Sequence, residues 1–338
     1  MVKLKDIAQK AKVSIATVSL ALNDNTLVNI DTKERVKKWA EELNYFPNLN
    51  AQRLAKRKSF NICIFLNSKY FFKSPNIYYL KVIGGIIRES EHTDYTISFS
   101  FYGREKEDRV IIRKINTQNL DGIIIFDVIN ETTLKNLKNE FKVPIVLVDN
   151  HKKYNYMYSI DNDDFGGAYK ATKYMLSLGH TKIGYIGIPD CHPLGNECWK
   201  GFKKALNEKG IKETVAYKNC EFSFFSGKKA INYLFSKDKN LPTGFFCVND
   251  YIAIGAIEEL RRKGYKVPDD FSFVAMDDME ISSEVEPPLT TVRIKMEELG
   301  ASGLRKIISL INNNFNGEIK TIIDNDLIIR NSCRKFNI

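Results

Sequence analysis

The spacing of apolar positions changes near residue 60. Before that point they recur at helical intervals: Leu4, Ile7, Ala8 and Ala11 make one stripe, Val18, Ala21 and Leu22 another, with Val13 between them. Ser14 stands where an N-cap would sit, so its hydroxyl is expected to accept an amide of the second helix. Two short helices joined by a turn predict a helix-turn-helix at residues 4 to 23. Asp31, followed three residues later by Glu34, predicts a capping box that opens a third helix. In that helix Val36, Trp39, Ala40 and Leu43 would close a small core, and Pro47 would stop the helical run.

Beyond residue 60, apolar runs of strand character alternate with helical stretches. The runs are Ile62 to Leu66, Thr96 to Phe101, Gly122 to Asp127, Ile145 to Asp149, Lys182 to Gly187, Gly244 to Val248, Phe271 to Asp277 and Leu327 to Arg330. Near-continuous apolar strands separated by helices imply parallel sheets covered on both faces. So many units suit two lobes better than one. The expected fold class is α/β, with an all-α helix-turn-helix domain ahead of a core of two parallel-sheet lobes.

Composition alters this picture mainly through where the charge lies. Residues 1 to 60 carry twelve Lys and Arg against six Asp and Glu, so +6 of the chain's formal +10 sits in under a fifth of its 338 residues. A polyanion partner for that end follows, because cations that neutralise phosphates release counterions; a merely solvated basic surface would show the same charge. The start of the chain is charged and no run reaches the roughly 18 apolar residues of a membrane span, so a cytoplasmic protein with no membrane partner is expected. Cys63, Cys191, Cys198, Cys220, Cys247 and Cys333 form no C-x-x-C pair. Reduced thiols are expected, with no metal site. The chain has no G-x-S-x-G, no G-x-x-x-x-G-K-[ST] and no G-x-G-x-x-G, so neither an enzyme nor a cofactor is expected.

At this point the residues resemble the lactose-repressor (LacI/GalR) family. The resemblance is carried by Lys5-Asp6-Ile7-Ala8, Val13-Ser14-x-Ala16-Thr17-Val18-Ser19-x-x-Leu22-Asn23, Leu43-Asn44-Tyr45-x-Pro47-Asn48 and Ala51-x-x-Leu54. Within the core it is carried by Asp161-Asn162, Leu178-Gly179-His180, Asn249-Asp250, Asp277-Asp278 and Pro287-Pro288-Leu289-Thr290-Thr291. It implies a sequence-specific transcription regulator, in the main a repressor, with a periplasmic-binding-protein-like core and a small-molecule effector, such as a sugar, in the cleft. It also implies a homodimer on a pseudo-palindromic double-stranded DNA operator. The implied organisation is a headpiece at 1–46, a hinge helix and linker at 47–59 and an effector-binding, dimerising core at 60–338. Lobe one would take about 60–160 and 292–323, and lobe two about 161–291 and 324–338.

The resemblance also assigns roles to single residues. Ile15 and Ala16 would face base edges, while Ser14, Thr17 and Asn23 would bond phosphates; Tyr45, Asn48 and Ala51 belong to the same DNA-contacting set. Leu20 departs from an arginine common in the family; it either faces the groove or packs inside the headpiece. Lys12 replaces the usual turn glycine, a strained choice if that position needs a positive φ. Leu54 would wedge into a minor-groove step. In the cleft, Asp149, Asn249 and Asp277 would bond hydroxyls, with Phe165 and Phe222 as stacking faces. Cys198 replaces an arginine that binds effector oxygens in relatives, which favours a neutral, partly apolar effector over an anionic one. Control by a partner phosphocarrier protein is the alternative within the same class; a transport-type sugar-binding protein would have no use for residues 1 to 60.

Overall fold

A computed structural model describes residues 2–45, 58–72, 77–103, 107–152, 154–237 and 241–336; the chain divides into two units, Met1–Ser59 and Phe60–Ile338. In the first, helices α1 (Leu4–Ala11), α2 (Ile15–Leu22) and α3 (Ile30–Glu42) bury Ile7, Ala8, Ala11, Val18, Ala21, Val28, Val36 and Ala40 against one another. Helix α1 ends at Lys12, whose φ of 54° puts a β-carbon in the left-handed region, at a cost of about 1 kcal/mol relative to glycine. Ser14 caps α2 by accepting from the Thr17 amide at 3.0 Å. The cap of α3 departs from the expectation. It is Asn29, accepting from the Thr32 amide at 2.8 Å, and not Asp31. Starting the helix at Ile30 leaves Asp31 in the first turn, where its charge faces the positive end of the helix dipole.

The second unit holds two six-stranded sheets. Lobe one contains β1 (Asn61–Asn67), β2 (Thr96–Tyr102), β3 (Gly122–Phe126), β4 (Ile145–Val148), β5 (Tyr158–Asn162) and β11 (Lys320–Ile323), in the order β11-β5-β4-β3-β1-β2 and parallel throughout. Its helices are α4 (Ser68–Phe71), α5 (Ile77–Ser90), α6 (Glu107–Gln118), α7 (Glu131–Glu140) and α13 (Met296–Ile311). Alternation along β1 explains the two covered faces: Ile62, Ile64 and Leu66 join the layer of α5 and α13, while Cys63 and Phe65 join that of α6 and α7. Helices α5 and α13 touch backbone to backbone. A β-carbon on Gly85 would lie 1.9 Å from the Glu297 carbonyl oxygen, so that crossing admits only glycine.

Lobe two contains β6 (Ile183–Ile186), β7 (Ala216–Tyr217), β8 (Gly244–Cys247), β9 (Ser272–Asp277), β10 (Thr290–Arg293) and β12 (Asp326–Ile328), in the order β12-β10-β9-β8-β6-β7, with β12 antiparallel to β10. Helices α8 (Asp164–Ser177), α9 (Pro193–Glu208), α10 (Phe224–Lys237), α11 (Asp250–Arg262) and α12 (Ile281–Glu284) complete it. The chain passes between the lobes at residues 162–164, 294–295 and 324–325. Strands β5, β7, β10 and β11 lie outside the eight apolar runs: β7 and β11 are short edge strands with no fully buried residue, and β5 and β10 bury polar side chains. Ser159 and Asp161 bond each other at 2.9 Å within β5, and Thr291 of β10 donates to buried Asp250 at 2.6 Å. Buried polar atoms that find partners in the fold do not register as an apolar run.

Candidate functional site

Helix α2 exposes Ile15, more than half accessible, and Ala16 at its first turn. Ser14 and Thr17 hydroxyls bond each other at 2.8 Å, and the Asn23 amide nitrogen donates to the Ser19 carbonyl at 2.7 Å. Leu20 is half-buried and packs on the headpiece core, so part of its surface serves packing, the option its sequence context left open. Tyr45 likewise packs on that core. Asn48, Ala51 and Leu54 lie outside the described residues.

The core has a cavity of about 660 Å³ between its lobes. It opens at the carboxyl ends of the strands, where parallel α/β sheets present their loops. Asp127 follows β3, Asp149 follows β4, Asn249 follows β8 and Asp277 ends β9, and all four line it. Among the described lining residues there is no Lys or Arg. Ile188, Leu194, Val248, Met276, Met279 and Ile294 supply a facing apolar wall.

Each carboxyl has its own surroundings. Burial pushes Asp127 up to about 6, although the Tyr79 hydroxyl donates to it. Burial would also raise Asp149, but the His151 cation and the Tyr78 hydroxyl, donating at 2.7 Å, hold it below its ordinary value. Asp277 is raised well above its ordinary value by burial and by the charge of Asp250, which favours its neutral form. Its other neighbour, the Asn249 amide nitrogen, donates to it. The Asn249 side-chain oxygen caps α11 through the Tyr251 and Ile252 amides at 2.9 and 3.3 Å. One side chain therefore both starts the helix and orients the cavity acid. The arrangement can offer hydroxyl donors and acceptors to a ligand, and it opposes an anion.

Five of the six cleft residues expected from sequence line this cavity: Asp149, Cys198, Phe222, Asn249 and Asp277. Cys198 is fully buried, its sulfur 3.9 Å from that of Met276, and Phe222 stands at the wall with its ring edge toward His192. Phe165 does not line it. It stacks on Tyr169 with 38% of its surface exposed. The reason is helical phase: Asp164, one residue earlier on α8, points into the cavity, and a step of about 100° turns Phe165 away. Asp127 lies outside the expected set, although it ends an apolar run in the same way as Asp149 and Asp277 and carries the same local signal. Tyr78, His151 and Asp164 carry no such local signal.

Comparisons with known proteins bear on the family and the fold. The family model for bacterial regulatory proteins of the lacI family matches residues 3–48, and that for a periplasmic binding protein-like domain matches residues 172–333. The chain is 30% identical over 339 residues to the probable HTH-type transcriptional repressor ExuR of Bacillus subtilis, with 99% of each chain covered. It is 32% identical over 335 residues to the HTH-type transcriptional regulator RegA of Clostridium saccharobutylicum, covering 97% of this chain and 98% of that one. The lac repressor dimer bound to operator and the anti-inducer ONPF superposes with a TM-score of 0.78 at 24% identity, covering 98% and 99%. The complex of the transcriptional regulator CelR with cellobiose superposes at 0.72 and 23% identity, covering 98% and 100%; at such identities these two structures speak for the fold.

Proposed function

The chain belongs to the lacI family of bacterial regulatory proteins and is a DNA-binding transcription regulator, and from that premise we propose that it is a repressor, not an enzyme, released or recruited by a small uncharged ligand in the inter-lobe cavity. One observation carries the ligand class: the cavity offers carboxyl, amide and hydroxyl groups against an apolar wall, with no Lys or Arg among its described lining residues. A sugar-like molecule with a hydroxyl-rich face and an apolar face suits both walls. Cellobiose, the ligand of the CelR structure, is of that kind.

On the DNA side, Ile15 and Ala16 offer apolar contact to base edges such as the thymine methyl, while Ser14, Thr17, Asn23 and Tyr45 hold the phosphate backbone. A homodimer sets two headpieces on a pseudo-palindromic double-stranded operator. Residues 47–59 supply the hinge, with Leu54 as the minor-groove wedge beside Asn48 and Ala51. The test is fluorescence anisotropy on duplexes tiling the region upstream of the protein's own gene, for wild type and Leu54→Ala across a salt series. One tile should bind tightly with a steep salt slope, and Leu54→Ala should weaken that binding at least 10-fold, about 1.4 kcal/mol. Uniform weak binding to all tiles, unchanged by the substitution, would refute the reading.

A further inference from the structure

His151 sits in the cavity wall with a carboxylate on each ring nitrogen. Nδ1 lies 2.6 Å from Asp164 Oδ2 and Nε2 lies 3.3 Å from Asp149 Oδ1. All three side chains are more than nine-tenths buried. Asp149 and His151 follow β4 of lobe one, whereas Asp164 opens α8, which packs on the sheet of lobe two. We propose that His151 is a clasp between the lobes: as a doubly protonated imidazolium it ties Asp149 of lobe one to Asp164 of lobe two, and so positions the two walls that the effector meets. The inference rests on the effector-cavity reading for its consequence, but the clasp forms and is testable without a ligand.

Charge complementarity favours the cation. Nδ1 is hydrogen-bonded to Asp164, whereas Nε2 faces Asp149 Oδ1 at ion-pair distance; only an imidazolium carries a proton toward both, and a neutral ring would set a lone pair against one carboxylate. The backbone is shaped for the purpose. Asp149 and His151 both hold positive φ values, 56° and 58°, which residues with a β-carbon rarely adopt. Asp161 on β5 braces this turn by accepting from the Asn150 and His151 amides, each at 3.0 Å. Strain of this kind persists only where surrounding contacts over-determine it, and here it turns the Asp149 and His151 side chains toward each other, with Asp164 on the far side of the ring.

The charges around the ring favour the cation. Burial alone would lower His151, but Asp149 and Asp164 together raise it well above its ordinary value. Asp127 at the end of β3 and Asp277 at the end of β9 add carboxyl groups nearby, and Tyr78 on α5 donates to Asp149. The facing ring is His192 at the start of α9, with centroids 6.3 Å apart; burial and the His151 charge push it down to about 4, so it is neutral near pH 7. Lys152, next in the chain, works against the His192 cation as well. The two carboxyl partners shift oppositely: Asp149 is held low, whereas for Asp164 burial outweighs the His151 cation. Both nevertheless push His151 the same way.

A raised histidine stabilises the fold fully below its unfolded value near 6.5, and that contribution is lost as pH rises through the folded value. The experiment is a double-mutant cycle on the full chain: wild type, His151→Gln, Asp164→Asn and the double variant, followed by calorimetric unfolding of the core from pH 6 to 9. Each single change should lower the melting temperature by about 5 °C or more at pH 6.5, the double should lose little more than one single, and this non-additivity should shrink as pH rises through the folded value of His151. Additive losses at every pH would overturn the clasp. Should a variant fail to fold, nitrogen-15 spectra of wild-type histidine side chains decide the matter, since the chain has four histidines. One ring should stay protonated on both nitrogens at pH 7.5; four neutral rings there would overturn it. Failure of the effector reading would leave these outcomes untouched, because no ligand is present.

Discussion

Replacing Asp277 by alanine is expected to weaken effector binding roughly 30- to 150-fold, about 2–3 kcal/mol, the cost of leaving a buried ligand hydroxyl without its partner. Operator affinity measured without effector should stay within about threefold, since Asp277 lies in the core unit and not in the headpiece. The surroundings of this acid make the prediction sharper. Burial and the Asp250 charge raise Asp277 and favour its neutral form, which accepts from Asn249 and has an O–H left to donate. Asp277→Asn keeps a neutral donor at the same place, so it should retain affinity within about 10-fold. Titration calorimetry with the sugar that proves active in the operator assay makes the comparison. Equal losses for alanine and asparagine would mean that the charged carboxylate does the binding; no loss for either would remove Asp277 from the site.

The second large effect belongs to the headpiece. Ile7, Val18 and Val36 are fully buried in a core of eight described residues, and a module this small rarely holds more than about 3–5 kcal/mol. Ile7→Ala removes about 2–4 kcal/mol through lost burial and the cavity left behind. The helices would then be largely unfolded, and operator affinity should fall at least 100-fold, about 2.7 kcal/mol. Effector affinity should be unchanged, because the cavity is built within Phe60–Ile338. Anisotropy and calorimetry on one preparation check both halves. Retained operator binding would show that the stripe predicted from Leu4, Ile7, Ala8 and Ala11 does not hold the headpiece together.

What could be read from the residues depended on whether the information was local. The stripes of α1 and α2, the Ser14 cap and the eight apolar runs were legible because spacing and burial go together there. The strands β5 and β10 were not, since they bury polar groups: Asp161 accepts from Ser159 and from the Asn150 and His151 amides, and Thr291 donates to Asp250. The cleft followed the same division. Asp149 and Asp277 could be named because each ends an apolar strand, and Asp127 should have been for the same reason. Phe165 was misplaced by one helical step, while His151 and Asp164 acquire their relation only when two lobes meet. Spacing along a chain does not show which distant loop will face a given side chain.

The proposed regulation requires that operator and effector bind the two units of one molecule and oppose or support each other through it. Its most direct test is effector affinity, measured once for the free protein and once for the protein saturated with its operator tile. The two dissociation constants should differ by a factor of about 5 to 150, and the operator's affinity should change with effector by the same factor. Equal effector affinity in both states would contradict the account.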